Sequence, residues 1–184
     1  MLTVKHRPLT VHDYMQLPVD RKKTELIEGD LFMSPSPKRF HQDILIRLSS
    51  IIWDYLRKNP IGKVYAAPFD VTLTDLNVFQ PDVCYFSKSR YTSLTEQGAD
   101  GAPDLVIEIL SPGSEKHDLG VKKEIYTRTG VEEFWSVDPV KRTITVYQLS
   151  ENSTAPRATL GIGKILTTPL LPGLKIKVRD VFAD

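Results

Sequence analysis

Ala102-Pro103-Asp104-Leu105-Val106-Ile107-Glu108-Ile109-Leu110-Ser111-Pro112 is a short apolar run bracketed by two prolines, with one carboxylate, Glu108, near its end. Leu105 to Leu110 reads as a buried strand, because the run is too short and too rich in β-branched residues for a stable helix. An ionised glutamate is rarely placed on such a strand unless something pairs with it. Pro81-Asp82 upstream and Lys122 downstream are the candidate companions.

The surrounding chain sets the context for that strand. Its 184 residues suit one domain, spanning 1–184. Apolar residues at 41% allow a real core, and charged residues at 26% argue against disorder. A net charge of +1 excludes a strongly basic nucleic-acid binder, so any grip on a polyanion must come from a local patch. A single cysteine, Cys84, excludes an internal disulfide and a cysteine-rich zinc site. No apolar run reaches membrane-spanning length, and Met1 to Pro8 is polar without a signal-peptide core. The expectation is a soluble, cytoplasmic protein with no membrane partner and no organic cofactor.

Along the chain, Thr10 to Leu17 predicts a short helix capped by Thr10 and ended by Pro18. Thr24–Ile27 and Leu31–Ser34 flank Glu28-Gly29-Asp30, a hairpin signal. After the Ser34-Pro35-Ser36-Pro37 loop, a long amphipathic helix is predicted from about Lys38 to Lys58, its stripe made of Ile44, Leu45, Leu48, Ile51, Ile52, Tyr55 and Leu56. Strands are predicted at Lys63–Ala67, Phe69–Leu73 and Asp82–Phe86, with a turn at Thr74–Asn77 and a polar surface loop over Ser87–Gly101. Beyond the opening strand come a loop from Ser111 to His117, a helix from about Asp118 to Thr129 with Gly130 as its C-terminal cap, and strands at Phe134–Asp138 and Thr143–Leu149. A polar loop, Ser150–Arg157, leads to a tail with one or two short strands around Lys175–Val178. This order predicts an α/β or α+β domain, a central mixed β-sheet flanked by helices.

Three features converge on one site. Pro81-Asp82 opens a strand, where proline is tolerated. Glu108 lies near the end of a buried strand, and Asp118, Lys122 and Tyr126 fall at four-residue intervals on one face of the next helix. Two strand-borne carboxylates can hold a hard divalent cation such as Mg²⁺, which takes few protein ligands and keeps several waters. A nearby lysine can orient the attacking water and offset phosphate charge. Those are the parts needed to hydrolyse a phosphodiester. Each also has a plainer reading: Asp82 as turn chemistry, Lys122 as a solvated charge paired with Asp118, Tyr126 as a core aromatic. His41 shares a stripe with Leu45 and Leu48; it is either a hydrogen-bonded core histidine or a contact to water or phosphate. Lys38-Arg39, Lys122-Lys123 with Arg128, and Lys141-Arg142 are small basic clusters, either ordinary surface or a track for a phosphate backbone.

These motifs, with Glu25-Leu26-Ile27-Glu28-Gly29, His41, Gly130 to Pro139 and Leu171-Pro172-Gly173-Leu174, resemble the Uma-type restriction-endonuclease family, a cyanobacterial type within the PD-(D/E)XK nuclease superfamily. The resemblance covers nearly the whole chain. It implies a restriction-endonuclease-like core and a Mg²⁺-dependent endonuclease, with Mn²⁺ as a substitute ion, DNA as substrate and a homodimer as the working unit. Asp82 and Glu108 would bind metal, with the Ile109 backbone carbonyl as a third ligand, and Lys122 would assist the attacking water. Glu25 would serve a second metal or hold a water. The superfamily pattern wants a lysine two residues after the second acid, where this chain has Leu110; Lys122 takes the matching role from the following helix. The alternative is a catalytically silent nuclease fold used as a DNA-binding or regulatory module.

Overall fold

The computed structural model describes residues 7–18, 23–111 and 117–183. Most of the polar N-terminal segment and residues 112–116 of the Ser111–His117 loop lie outside the described residues.

Local chemistry accounts for the first elements. Helix α1 (Val11–Tyr14) is shorter than predicted, but Thr10 and Asp13 form the reciprocal capping box at its start. Strands β1 (Lys23–Ile27) and β2 (Asp30–Ser34) pair antiparallel around a two-residue turn. Glu28 and Gly29 both have positive φ there, +51° and +83°, the conformation that matches the strand twist of a tight hairpin. Glycine is also required by space, since a Cβ on Gly29 would fall 2.3 Å from Pro8 Cβ. Helix α2 (Arg39–Lys58) buries Ile44, Leu45, Leu48, Ile52 and Leu56 on one stripe.

The remaining elements are β3 (Gly62–Ala66), β4 (Asp70–Thr74), β5 (Asn77–Phe79), β6 (Val83–Ser87), β7 (Gly98–Asp100), β8 (Leu105–Ile109), α3 (Lys123–Thr129), β9 (Glu133–Asp138), β10 (Thr143–Gln148), β11 (Ala158–Gly161), β12 (Ile165–Leu166), β13 (Ile176–Lys177) and α4 (Val178–Val181). The single expected sheet is two. A six-stranded mixed sheet runs β11-β10-β9-β8-β6-β3, and a five-stranded one runs β2-β1-β5-β4-β7, with β12 and β13 pairing separately. Pro68 helps explain the division. It has no N–H to continue the ladder, so the chain leaves the first sheet at Ala66 and joins the second at Asp70.

Two segments differ from expectation for identifiable reasons. The polar stretch Ser87–Gly101 holds a 3₁₀ turn, Lys88–Ser93, and the buried start of β7. Gly98 lets β7 lie against β4, because a Cβ there would meet the Asp70 carbonyl oxygen at 2.2 Å. Asn77, assigned to a turn by its polarity, begins strand β5 and is buried. Its amide donates to Thr74 Oγ1 at 2.7 Å, and its side-chain oxygen accepts from the Glu28 N–H at 2.9 Å.

β8 sits in the middle of the mixed sheet, antiparallel to β6 and parallel to β9. Its residues alternate between two cores. Leu105, Ile107 and Ile109 join Ile44, Leu48 and Ile52 of α2, while Val106 packs with Phe79, Ile125, Tyr126 and Phe134. Each such side chain contributes about 1.5–3 kcal/mol on full burial, so the strand is firmly anchored from both faces. Glu108 follows the parity of Val106 and faces the α3 side. The parallel β8–β9 pairing demands a crossover, and α3 belongs to it. The crossover leaves from the end of β8 at which Glu108 stands, so residues early on the returning helical segment lie beside that glutamate.

Candidate active site

Asp82 immediately precedes β6. The register Val83↔Ile107, carried one step further, sets Asp82 opposite Glu108 across the sheet. Asp82 Oδ2 accepts the Ile109 N–H at 2.8 Å and lies 3.2 Å from His41 Nε2 at the start of α2. Asp82 Oδ1 lies 3.3 Å from Lys23 Nζ on β1. Burial pushes this carboxyl upward, but Lys23, His41 and the Ile109 amide outweigh it and hold it well below the usual carboxylate range.

Glu108 belongs to a second cluster. Its Oε1 is 2.7 Å from Lys122 Nζ and accepts the Tyr126 hydroxyl at 2.8 Å. Lys122 Nζ also reaches Glu25 Oε1 at 3.0 Å and Asp118 Oδ1 at 3.2 Å. Glu25 is fixed in turn by the Gln80 N–H, 2.8 Å from Oε1. The ammonium lies 5.4 Å from the centre of the Phe79 ring, so an apolar wall closes one side. The predicted helix from Asp118 begins as a π turn, Asp118–Lys122, with non-helical dihedrals at Gly120, before α3 proper. Within that turn Asp118 and Lys122 stay in contact, and Tyr126 follows from α3.

Burial shapes the electrostatics. Burial pushes the Glu108 carboxyl up to about 7, since its neighbours Asp118 and Asp82 add to desolvation and Lys122 and Lys23 only partly offset it. Burial opposes the charge on Lys122, but Glu108 and then Glu25 keep it protonated well above the ordinary lysine value. Glu25 is raised by burial yet ends lowered, through Lys122 and Lys23. Burial and Glu108 hold the Tyr126 hydroxyl well above its ordinary value, so it stays a donor. Four buried carboxylates, Glu25, Asp82, Glu108 and Asp118, therefore face two ammonium groups, Lys23 and Lys122. The carboxylates outnumber the ammonium groups by two, and the raised Glu108 carboxyl, which takes up a proton near neutral pH, is the metal-free cluster's response to that crowding.

That imbalance suits a hard divalent cation at Asp82 and Glu108. Among the described residues no group of three or more His, Cys, Asp or Glu side chains is arranged as a ready metal cage. Mg²⁺ does not need one, as it is commonly held by one or two carboxylates and its own waters.

The structure thus brings Asp82, Glu108, Lys122, Glu25, His41, Asp118 and Tyr126 into one neighbourhood. Ile109 also belongs to it, and its contact to Asp82 is made by the N–H. Glu25 and Asp118 are engaged by Lys122. His41 Nδ1 is buried and without a hydrogen-bond partner. Lys123 points elsewhere, its Nζ 4.2 Å from the Tyr147 ring centre. The basic clusters are partly consumed by ion pairs: Arg39 with Asp43, Arg128 with Glu28, and Lys141 with Asp138. Lys23 and the Gln80 amide were not anticipated. Lys23 had a signal: it stands two residues before Glu25, and strand alternation puts both on one face.

The Uma2 family, described as "Putative restriction endonuclease", matches residues 11–179. The chain belongs to this family. A solved structure described as a putative nuclease belonging to DUF820, from Anabaena variabilis, superposes with a TM-score of 0.79 at 23% identity, covering 96% of this chain and 98% of that one. At that identity the likeness establishes the shared fold. No curated protein matches the chain. Uma2 membership agrees with the ordered motifs from Glu25 to Leu174, and the fold likeness accounts for nearly every described element. No helix among the described residues is long and apolar enough to cross a membrane.

Proposed function

We propose that this chain is a divalent-metal-dependent DNA endonuclease, using Mg²⁺ or Mn²⁺, that hydrolyses phosphodiester bonds at the Asp82–Glu108 pair. The observation that carries this reading is the opposition of two buried carboxylates, Asp82 and Glu108, on neighbouring strands, with a buried lysine beside them. A bound cation would polarise a phosphoryl oxygen and supply an activated water.

The chain's own groups do the positioning. The Ile109 N–H and His41 fix one oxygen of Asp82, so the other is presented in a defined direction. Tyr126 and Lys122 fix Oε1 of Glu108 in the same way. Lys122 stays protonated, so it cannot take a proton from water. With its ammonium already engaged by Glu108, Glu25 and Asp118, its help to the attacking water is electrostatic: it holds Glu108 in place and sets a fixed positive charge beside the site where negative charge develops. Its three carboxylate partners, all on rigid elements, keep it from swinging away. Two copies related by a twofold axis would suit the two antiparallel strands of a DNA duplex.

A plasmid-nicking assay tests the proposal. Wild type is expected to nick supercoiled DNA with Mg²⁺ or Mn²⁺ and to stop in chelator, and Asp82→Ala and Lys122→Ala to be inactive. Equal nicking by all three proteins would refute the site. DNA binding without nicking, and without metal binding that depends on Asp82, would identify a silent nuclease-fold module instead.

A further inference from the structure

Lys23 is the charged residue at the site to which neither the motifs nor the family gives a part. It stands two positions before Glu25 on β1, so both side chains project from one face toward β6 and β8. Its ammonium lies 3.3 Å from Asp82 Oδ1, the oxygen not taken by Ile109 and His41. We propose that Lys23 is a resident counter-cation for the metal position: it occupies the free face of Asp82 in the metal-free protein and is displaced when a divalent cation binds. This rests on the reading of Asp82 and Glu108 as the cation site.

The two lysines of the cluster differ in how they are held, and the difference decides which one yields. Lys122 is 1% exposed and clamped by three carboxylates at 2.7, 3.0 and 3.2 Å. Lys23 is 24% exposed and, among the described residues, its ion-pair contact within 4 Å is the longer 3.3 Å one to Asp82. About a quarter of its side-chain surface is open to solvent, against almost none for Lys122, so of the two it is the freer to move. A metal and an ammonium cannot share one carboxylate oxygen comfortably. Mg²⁺ requires ligand oxygens at about 2.0–2.1 Å in octahedral array, and two cations on the same atom repel. Until a metal arrives, Lys23 limits the repulsion among Asp82, Glu108 and Glu25. The lysine therefore stabilises the metal-free protein and weakens its affinity for metal by the same interaction, as linkage requires.

Titrating Mn²⁺ into the full chain, by calorimetry or by the loss of free-ion electron paramagnetic resonance signal, tests this without reference to catalysis. Lys23→Met is expected to bind Mn²⁺ at least ~5-fold more tightly than wild type, in the usual range of coupling between two sites. Lys23→Arg, which keeps the charge, should bind as wild type does. Melting in chelator should show Lys23→Met less stable than wild type, with a larger gain on adding Mn²⁺. Lys23→Gln is the second neutral variant, and a Lys23→Met protein that folds only with Mn²⁺ would support the inference. Mn²⁺ binding in the neutral variants that is unchanged or weaker, while wild-type binding is abolished by Asp82→Asn, overturns this inference and leaves the metal site standing. Wild type that binds no Mn²⁺ through Asp82 overturns both.

Discussion

Lys122 Nζ and Glu108 Oε1 are 2.7 Å apart, with both side chains 1% exposed. They come from β8 and from the π turn that opens the helical part of the β8–α3–β9 crossover. A buried pair of this kind is weak evidence for net stability, since desolvation offsets much of the attraction. Its consequence is rigidity of position. Breaking it from the lysine side leaves Glu108, Glu25 and Asp118 without their common partner. Lys122→Met should therefore cost about 3–5 kcal/mol in chemical denaturation, far more than loss of a surface lysine. Part of the loss should be recovered by adding Glu108→Gln, because the double variant buries one charge fewer.

The same crowding of carboxylates predicts how the metal-free protein responds to pH. Glu108 titrates near 7 in the folded chain, above its ordinary value of 4.5. Between those values the folded state holds the proton more tightly than the unfolded state, so stability falls as pH rises through that window. Asp82 and Glu25 act with the opposite sign. Their folded-state values are lowered, so the stability they contribute is present above the ordinary carboxylate range and is lost on acidification. In chelator, melting temperature should decline from weakly acidic to neutral pH, and Glu108→Gln should flatten that decline. A wild-type profile that rises steadily from pH 5 to 8 would contradict the assignment to Glu108.

Much of this site was legible from residue order because its parts are local. Asp82 follows a proline at a strand start. Glu108 interrupts an apolar run, and Asp118, Lys122 and Tyr126 recur at four-residue spacing. Geometry then supplied what spacing cannot. The π turn at Asp118–Lys122 alters the regular helix, yet i,i+4 contact between the two survives. The second sheet was invisible because Asn77 and the Gly98-Ala99-Asp100 stretch look like loop chemistry. Their burial depends on partners far along the chain, Glu28 for Asn77 and Asp70 for Gly98. Lys23 was missed because the hairpin pattern of apolar residues begins at Thr24, and a lysine at a strand end is ordinarily a solvated charge.

Tyr126 offers a milder perturbation of the same carboxylate. Its hydroxyl donates to Glu108 from a fully buried ring, edge-on to Phe79 with centroids 5.3 Å apart. Tyr126→Phe keeps the packing and removes one donor, while Lys122 still holds the same oxygen. The expected loss is about 1.5–3 kcal/mol of stability, the range for a hydrogen bond to a charged acceptor. Mn²⁺ affinity should fall modestly, because Glu108 is less firmly aimed. A drop as large as that of Lys122→Met would mean that the tyrosine, and not the lysine, fixes Glu108.

The stretch around β8 carries a second buried acid, and it separates fold from chemistry. Asp104 stands just before the strand and accepts the Ser87 N–H at 2.6 Å, the Ser87 hydroxyl at 3.0 Å and Arg90 Nε at 3.0 Å. Arg90 also donates to the carbonyls of Ala102 and Gly130, both at 2.9 Å, and to Glu132. Asp104 and Arg90 thus tie the 3₁₀ turn, the start of β8 and the end of α3 together, at the opposite end of the strand from Glu108. Every strong acceptor of Asp104 is already matched to a donor, so no cation is called for there. Asp104→Ala leaves the Ser87 amide without its acceptor and Arg90 with only the longer 3.3 Å contact to Glu132 among its anionic partners in the described residues, and should cost about 2–4 kcal/mol. Below its midpoint the variant should bind Mn²⁺ as wild type does, since β8 still presents Glu108 opposite Asp82. Asp82→Asn should lose metal binding outright while still unfolding cooperatively, at a lower midpoint because Lys23 and His41 lose their anion. Denaturation and Mn²⁺ titration of the two variants side by side check this, and parallel losses in both measurements would show that the two ends of β8 are not independent.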